Sequence, residues 1–278
     1  MTSRSPHAAS WLALVASVAL VAASPNASLA PAGAGPALEQ RDPRPDPLAA
    51  SILVYHRFGP VVADSMTVRT STFRAQLQYL KDHGYRTVPL RVLVAYLLRQ
   101  GPPPPSRSVV ITADDGHRSV VTEMLPLVRE YGVPVTLFIY PSAISNASYA
   151  LTWEQVRALA RTGLFDVQSH TYWHPNFKVE KRRLAPDAYR KLIVTQLMRP
   201  RIVLKQKLGV DVDLLAWPFG IYDEELLRLA AESGYVAGVT LDARVITATV
   251  SIMALPRFLV TDTASGRRFA AMLPPQSP

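Results

Sequence analysis

Beyond residue 48 the chain alternates short apolar runs with amphipathic stretches. Ser51-Ile52-Leu53-Val54-Tyr55 is a continuous apolar run of strand length. Ser71 to His83 places Phe73, Leu77 and Leu80 at helical spacing and is followed by Gly84, a helix stop. The alternation then repeats. Strands are predicted at 109–112, 133–140, 165–169, 214–217, 235–240 and 255–260, and helices at 119–131, 152–161, 186–208 and 223–233. Such an order predicts an α/β fold with a parallel sheet, either open or closed as a barrel. In both architectures ligands bind at the carboxyl ends of the strands. Polar residues directly after an apolar run therefore carry the most weight.

The first 47 residues follow a different pattern. Arg4 precedes an uncharged apolar run from Trp11 to Ala23, and Ser28-Leu29-Ala30 has the small-x-small form of a cleavage site. The run is shorter than the ~20 residues a spanning helix needs, so residues 1–30 read as a signal peptide. Pro31 disfavours a cut directly before it, which leaves cleavage elsewhere or retention as an anchor open. The expected location is outside the cytoplasm: periplasmic, cell-envelope-associated or secreted. Residues 31–47, rich in Pro and Ala, read as a linker, residues 48–272 as one folded domain and 273–278 as a flexible tail.

Composition narrows the chemistry. The 278 residues contain no cysteine, which excludes disulfides, thiolate metal sites and cysteine nucleophiles. Any metal must be held by His, Asp or Glu. The net charge of +9 suits an anionic partner, but the basic residues are dispersed. The densest run, Lys181-Arg182-Arg183, reads as a solvated helix approach, and no motif selects nucleic acid.

Two strand ends stand out. Asp114-Asp115-Gly116 follows the β-branched run at 109–112, and His170-Thr171-Tyr172-Trp173-His174-Pro175 follows the run at 165–169. Paired carboxylates allow one to bind a metal while the other takes a proton from water. Taken alone, Asp-Asp-Gly is also an ordinary turn before a helix. Two histidines four residues apart can reach one ion, yet they can equally be structural. Together the two segments supply the two-His, one-carboxylate set of an open catalytic metal site.

TADDG, SHTYWHP, AWPFG and LPR, in this order, resemble the motifs of the NodB-homology polysaccharide deacetylases, carbohydrate esterase family four. The resemblance runs from about Ser51 to Val260. It is closest to the exported poly-N-acetylglucosamine deacetylases, which also open on a strand ending in Tyr-His, as Tyr55-His56 does here. It implies an irregular (β/α) barrel in a single domain, a divalent metal, often zinc, and hydrolysis of N-acetyl groups from an amino-sugar polysaccharide. Carried over, Asp115, His170 and His174 would bind the metal and Asp114 would be the general base. Phe219, in Pro218-Phe219-Gly220, would offer a backbone N–H to the oxyanion. Trp173, Trp217 and Tyr172 are candidates for stacking on sugar.

Three positions depart from the family pattern. The position of the arginine that orients the base is matched to Ala216, followed by Trp217. No histidine follows His174, so the family's late general acid has no counterpart; His56 is the replacement that strand-end placement offers, with a core role as the alternative. Ala113 stands where many relatives carry an aromatic residue. These departures keep open a polysaccharide-binding protein with lost catalysis, and a metal-dependent deacylase acting on another acetylated substrate.

Overall fold

The computed structural model describes residues 48–275. The expected signal peptide, the linker up to residue 47 and residues 276–278 lie outside the described residues. The central strands are β1 (Ala50–Tyr55), β5 (Ser108–Ala113), β6 (Val135–Ile139), β7 (Phe165–Ser169), β8 (Leu214–Ala216), β9 (Ala237–Val239) and β10 (Phe258–Leu259). They form one parallel sheet in the order β10-β1-β5-β6-β7-β8-β9. The short β4 (Arg86–Thr87) pairs with the start of β5. Leu255 bridges to Val239 on one side, and three residues later Phe258 pairs with Leu53. The segment 255–259 thus joins the last strand to the first and closes the sheet into an irregular barrel. β2 (Arg57–Gly59) and β3 (Thr67–Arg69) make a separate two-stranded ribbon.

Alternation along the strands separates two cores. Leu53, Val109, Ile111, Leu137, Ile139, Val167 and Leu215 join the large cluster shared with the helices. Helix α1 (Thr70–Asp82) inserts Phe73, Leu77 and Leu80 into it, as the sequence spacing predicts. α3 (Leu125–Tyr131), α4 (Trp153–Arg161), α6 (Pro186–Leu208) and α7 (Glu224–Glu232) contribute to the same cluster. Ile52, Val110, Phe138, Leu214, Ala216, Ala237 and Val239 form a second cluster inside the barrel, into which α2 (Leu90–Leu97) places Leu90, Leu93 and Val94. Burial on both faces explains why β1, β5 and β6 are apolar nearly throughout. α5 (Phe177–Arg183) and the terminal α8 (Gly266–Ala270) complete the fold. The expectation of a flexible tail from residue 273 fails at its first residues: Leu273 is buried, and the Tyr85 hydroxyl donates to the Pro274 carbonyl.

Candidate active site

Strand register gathers the site. Tyr55 pairs with Ala113, so His56 and Asp114 follow at neighbouring carboxyl ends. Ile139 pairs with Ser169, so Tyr140 and His170 do the same one strand further on. Each of these four continues the alternation of the barrel-interior residues: Ile52 leads to His56, Val110 to Asp114, Phe138 to Tyr140 and Gln168 to His170. The barrel interior is thus capped by imidazole, carboxylate and phenol groups.

After β5 the chain turns sharply. Asp114 N–H still donates to the Tyr55 carbonyl, but Asp115 and Gly116 have φ of 72° and 69°. A Cβ on Gly116 would lie 2.9 Å from Ile139 Cγ2, so close packing as well as conformation requires glycine there. Thr171, His174 and Phe219 also have positive φ. Four of the seven described non-glycine residues in this region of conformational space therefore lie in the site, the pattern of strain held for function. A π-helical turn, Val120–Met124, follows the carboxylates and leads into α3.

His170 is fixed by two bonds. Its N–H donates to the Ile139 carbonyl, and its ring Nδ1 lies 2.8 Å from the Ala216 carbonyl. The second contact places the proton on Nδ1 and leaves Nε2 as a lone-pair donor. The loop to His174 is held by the buried Gln196 of α6, whose Oε1 accepts from the Tyr172 and Trp173 N–H groups. Thr171 Oγ1 accepts from the His174 N–H. Nε2 of His170 and of His174 lie 3.7 and 3.8 Å from Asp115 Oδ1. One ligand atom from each of the three residues falls within 4.8 Å of the others. Two imidazoles, one already oriented by a carbonyl, and one carboxylate form a donor set that fits a divalent cation.

Asp114 borders this set, its Oδ2 also 3.7 Å from His170 Nε2, but it is held by a different partner. It is 1% exposed and receives a bidentate pair from Arg257, Nη1 to Oδ1 at 2.8 Å and Nη2 to Oδ2 at 2.7 Å. Arg257 is wholly buried; its Nε donates to the Thr240 carbonyl and its Nη1 also to Thr112 Oγ1. Burial alone would raise the Asp114 pKa, but the charge of Arg257 and its hydrogen bonds bring it down to about 2. Burial raises the Asp115 pKa, against the pull of His56 and with the repulsion of Asp114. Burial also lowers His170 to about 3 and lowers His174, so both imidazoles are neutral. His56 is close enough to act on both carboxylates, and its Nδ1 is buried without a hydrogen-bond partner among the described residues.

Arg257 and Trp217 differ from what the sequence predicts. The absence of an orienting arginine, inferred from Ala216, does not hold: Arg257 of the Leu255-Pro256-Arg257 segment occupies that role from the barrel closure, while Ala216 supplies its carbonyl to His170. Trp217 is not a stacking surface. It is wholly buried, and its Nε1 donates to the Met253 carbonyl across Gly238, where a Cβ would lie 2.5 Å from that oxygen. Trp173 is 41% and Phe219 55% exposed beside the site, and the Phe219 ring lies 4.5 Å from that of His174. The turn carrying Phe219 is closed by Gly220 N–H to the Trp217 carbonyl and Ile221 N–H to that of Pro218, neither of which uses the Phe219 N–H. Tyr172 is half-buried, with the Arg199 guanidinium 3.9 Å from its ring centroid. Tyr140, which the sequence reading passed over, lies 5.2 Å from the His174 ring.

Residues 101–238 match the family described as polysaccharide deacetylase. The poly-beta-1,6-N-acetyl-D-glucosamine N-deacetylase of Escherichia coli (strain K12) is 26% identical over 259 residues, covering 79% of this chain. The chain spans only 38% of that relative's length. The enzyme of the same name from Staphylococcus epidermidis is 24% identical, covering 71% of this chain and 69% of that one. The Streptococcus pyogenes deacetylase PplD, solved in complex with acetate, shares the fold with a TM-score of 0.73 at 23% identity, covering 82% of this chain and 100% of that one. The matched stretch contains Asp114, Asp115, His170, His174 and Phe219, and leaves His56 and Arg257 on either side. Sequence match and barrel topology agree, and residues 101–238 carry the polysaccharide deacetylase domain.

Proposed function

We propose that the protein is a metal-dependent enzyme that removes N-acetyl groups from an amino-sugar polysaccharide, and that the polymer is poly-N-acetylglucosamine. The observation that carries this reading is the division of labour between the two carboxylates. Asp114 is locked ionised by Arg257, while Asp115 shares a donor cluster with His170 and His174. The choice of polymer draws on the names of the E. coli and S. epidermidis relatives. The apolar run from Trp11 to Ala23 supports an exported enzyme meeting its polymer in the periplasm, at the cell envelope or outside the cell.

Asp115, His170 and His174 would hold the cation, zinc being the metal best suited to nitrogen and carboxylate donors in an open site. A divalent cation there supplies Lewis acidity, polarising an acetyl carbonyl and acidifying water. Asp114 accepts the proton of the attacking water, its two oxygens held in place by the Arg257 fork. The Phe219 N–H donates to the oxygen on which charge develops. His56 returns a proton to the departing nitrogen, so that an amine leaves.

A substrate panel tests the reading. Zinc-loaded protein is expected to release acetate faster from β-1,6-linked N-acetylglucosamine oligomers than from chitin oligomers or O-acetylated sugars, and a chelator is expected to abolish release. Preference for an O-acetylated sugar would move the enzyme to ester chemistry. Oligomer binding without acetate release would make it a binding protein.

A further inference from the structure

The mouth of the site carries a second polar pair, outside the base and the donor cluster. Tyr140, at the carboxyl end of β6, places its hydroxyl 2.5 Å from that of Tyr149. Its ring lies 5.2 Å from His174 and 6.3 Å from His170. Tyr149 is 39% exposed and belongs to a loop tied directly to the carboxylate turn. Arg118 N–H donates to the Tyr149 carbonyl, Leu151 N–H to that of Gly116, and His117 bridges to Ala150. The Tyr149 ring is nearly parallel to that of His117, with 8° between their planes. The two phenols therefore hold a fixed position relative to Asp114 and Asp115.

A phenol hydroxyl has one proton and can also accept. When two phenols share one hydrogen bond, one proton remains to be donated elsewhere. If Tyr140 donates to Tyr149, the spare proton faces solvent from Tyr149. If Tyr149 donates, the spare proton belongs to Tyr140, beside the histidines. A substrate oxygen near Tyr140 selects the second arrangement. Burial, the bond to Tyr149 and the nearby Asp115 all push the Tyr140 pKa up, which keeps it a neutral donor.

We propose that Tyr140 and Tyr149 form a sugar-positioning pair, in which Tyr149 donates to Tyr140 and Tyr140 donates to a hydroxyl oxygen of the amino-sugar unit being deacetylated. This rests on the deacetylase reading above and adds a specificity element to it. Tyr140 acts on the carrier of the acetyl group, so its hydroxyl should separate sugar substrates from sugar-free ones. A role confined to bracing the 146–151 loop would affect both classes alike.

The test compares Tyr140→Phe, Tyr149→Phe and the double variant, all of which keep the rings that pack on His174 and His117. Acetate release is measured from an N-acetylglucosamine oligomer and from 4-nitrophenyl acetate, which has no sugar. Loss of one neutral hydrogen bond predicts that Tyr140→Phe lowers the oligomer-to-ester ratio of kcat/KM about fivefold, chiefly through KM. Tyr149→Phe should lower it less, because Tyr140 keeps its own proton, and the double variant should match Tyr140→Phe. An unchanged ratio, or proportional losses on both substrates, overturns the proposal. Calorimetric binding of the same oligomer in an Asp114→Asn background keeps the two readings separable. Wild-type failure to release acetate would refute the deacetylase reading alone, whereas an oligomer affinity left unchanged by Tyr140→Phe would refute the pair.

Discussion

Removal of the Arg257 guanidinium is the perturbation whose consequences follow most directly from the geometry. Arg257→Met keeps much of the side-chain volume but deletes four contacts: two to the Asp114 carboxylate, one to Thr112 and one to the Thr240 carbonyl. Both partners of the ion pair are buried, so Asp114 would be left as an uncompensated charge. Breaking a buried pair from one side costs ~3–5 kcal/mol. For a domain of this size each kcal/mol moves Tm by about 2–4 °C, so melting should fall by roughly 6–20 °C. The neutral double variant Asp114→Asn/Arg257→Met should recover most of that loss, because the destabilisation comes from an orphaned charge. Arg257→Lys keeps the charge without the fork and should fall between. Kinetics give a second readout. With Arg257 gone, burial is no longer offset and the Asp114 pKa rises, so the acid limb of kcat/KM moves to higher pH. The experiment is thermal unfolding of the four proteins together with pH profiles of acetate release. An Arg257→Met protein that melts with the wild type, or whose acid limb stays in place, would refute the assignment of Arg257 as the group that holds the base ionised.

Three further outcomes follow. His56→Gln should lower kcat by ~10²–10⁴ while metal content stays at the wild-type level, since the residue is placed as proton donor and not as ligand; loss of metal in step with activity would reassign it. Trp217→Phe should cost about 1–3 kcal/mol in denaturant unfolding, through lost packing and the lost bond to Met253, and leave KM for oligomers unchanged, whereas Trp173→Ala should raise KM. In metal-free protein His170 titrates at about 3 when folded and near 6.5 when unfolded, so the unfolded chain binds more protons between these values and stability falls as pH drops from about 6.5 towards 3. The Asp114 contribution, with a folded pKa of about 2, is lost only below about pH 4. A melting temperature flat from pH 7 to 4.5 would contradict the burial of a neutral His170.

Much of this fold was legible because parallel strands buried on both faces leave nearly continuous apolar runs, as at Ser51–Tyr55 and 109–112, while the alternating Phe165 and Val167 mark the strand at 165–169. The carboxylates and histidines were legible for a local reason: Asp114-Asp115 and His170 follow their strands directly, and His174 lies four residues after His170. Arg257 was hidden by distance. It lies 143 residues from Asp114, in a segment that is strand for only two residues, and nothing local in Leu-Pro-Arg tells a closure arginine from a surface one. Trp217 misled through its neighbours: proximity in sequence to Phe219 says nothing of facing, and at the end of β8 the indole turns away from the barrel interior into the core shared with the helices, towards Met253. α2 was overlooked because Leu90 to Leu98 is apolar on nearly every side, as expected of a helix that packs into the barrel interior. Tyr140 could have been found. Its signal is the two-residue alternation from Phe138, the same rule that places His56, Asp114 and His170.

The central claim is that Asp114 acts as base beside a cation held by Asp115, His170 and His174. Zinc content and acetate release, measured on one preparation of Asp114→Asn, test it most directly. One zinc per chain is expected, as in the wild type, with release from N-acetylglucosamine oligomers reduced by at least ~10²-fold. Release at the wild-type rate with zinc bound, or loss of the zinc itself, would contradict it.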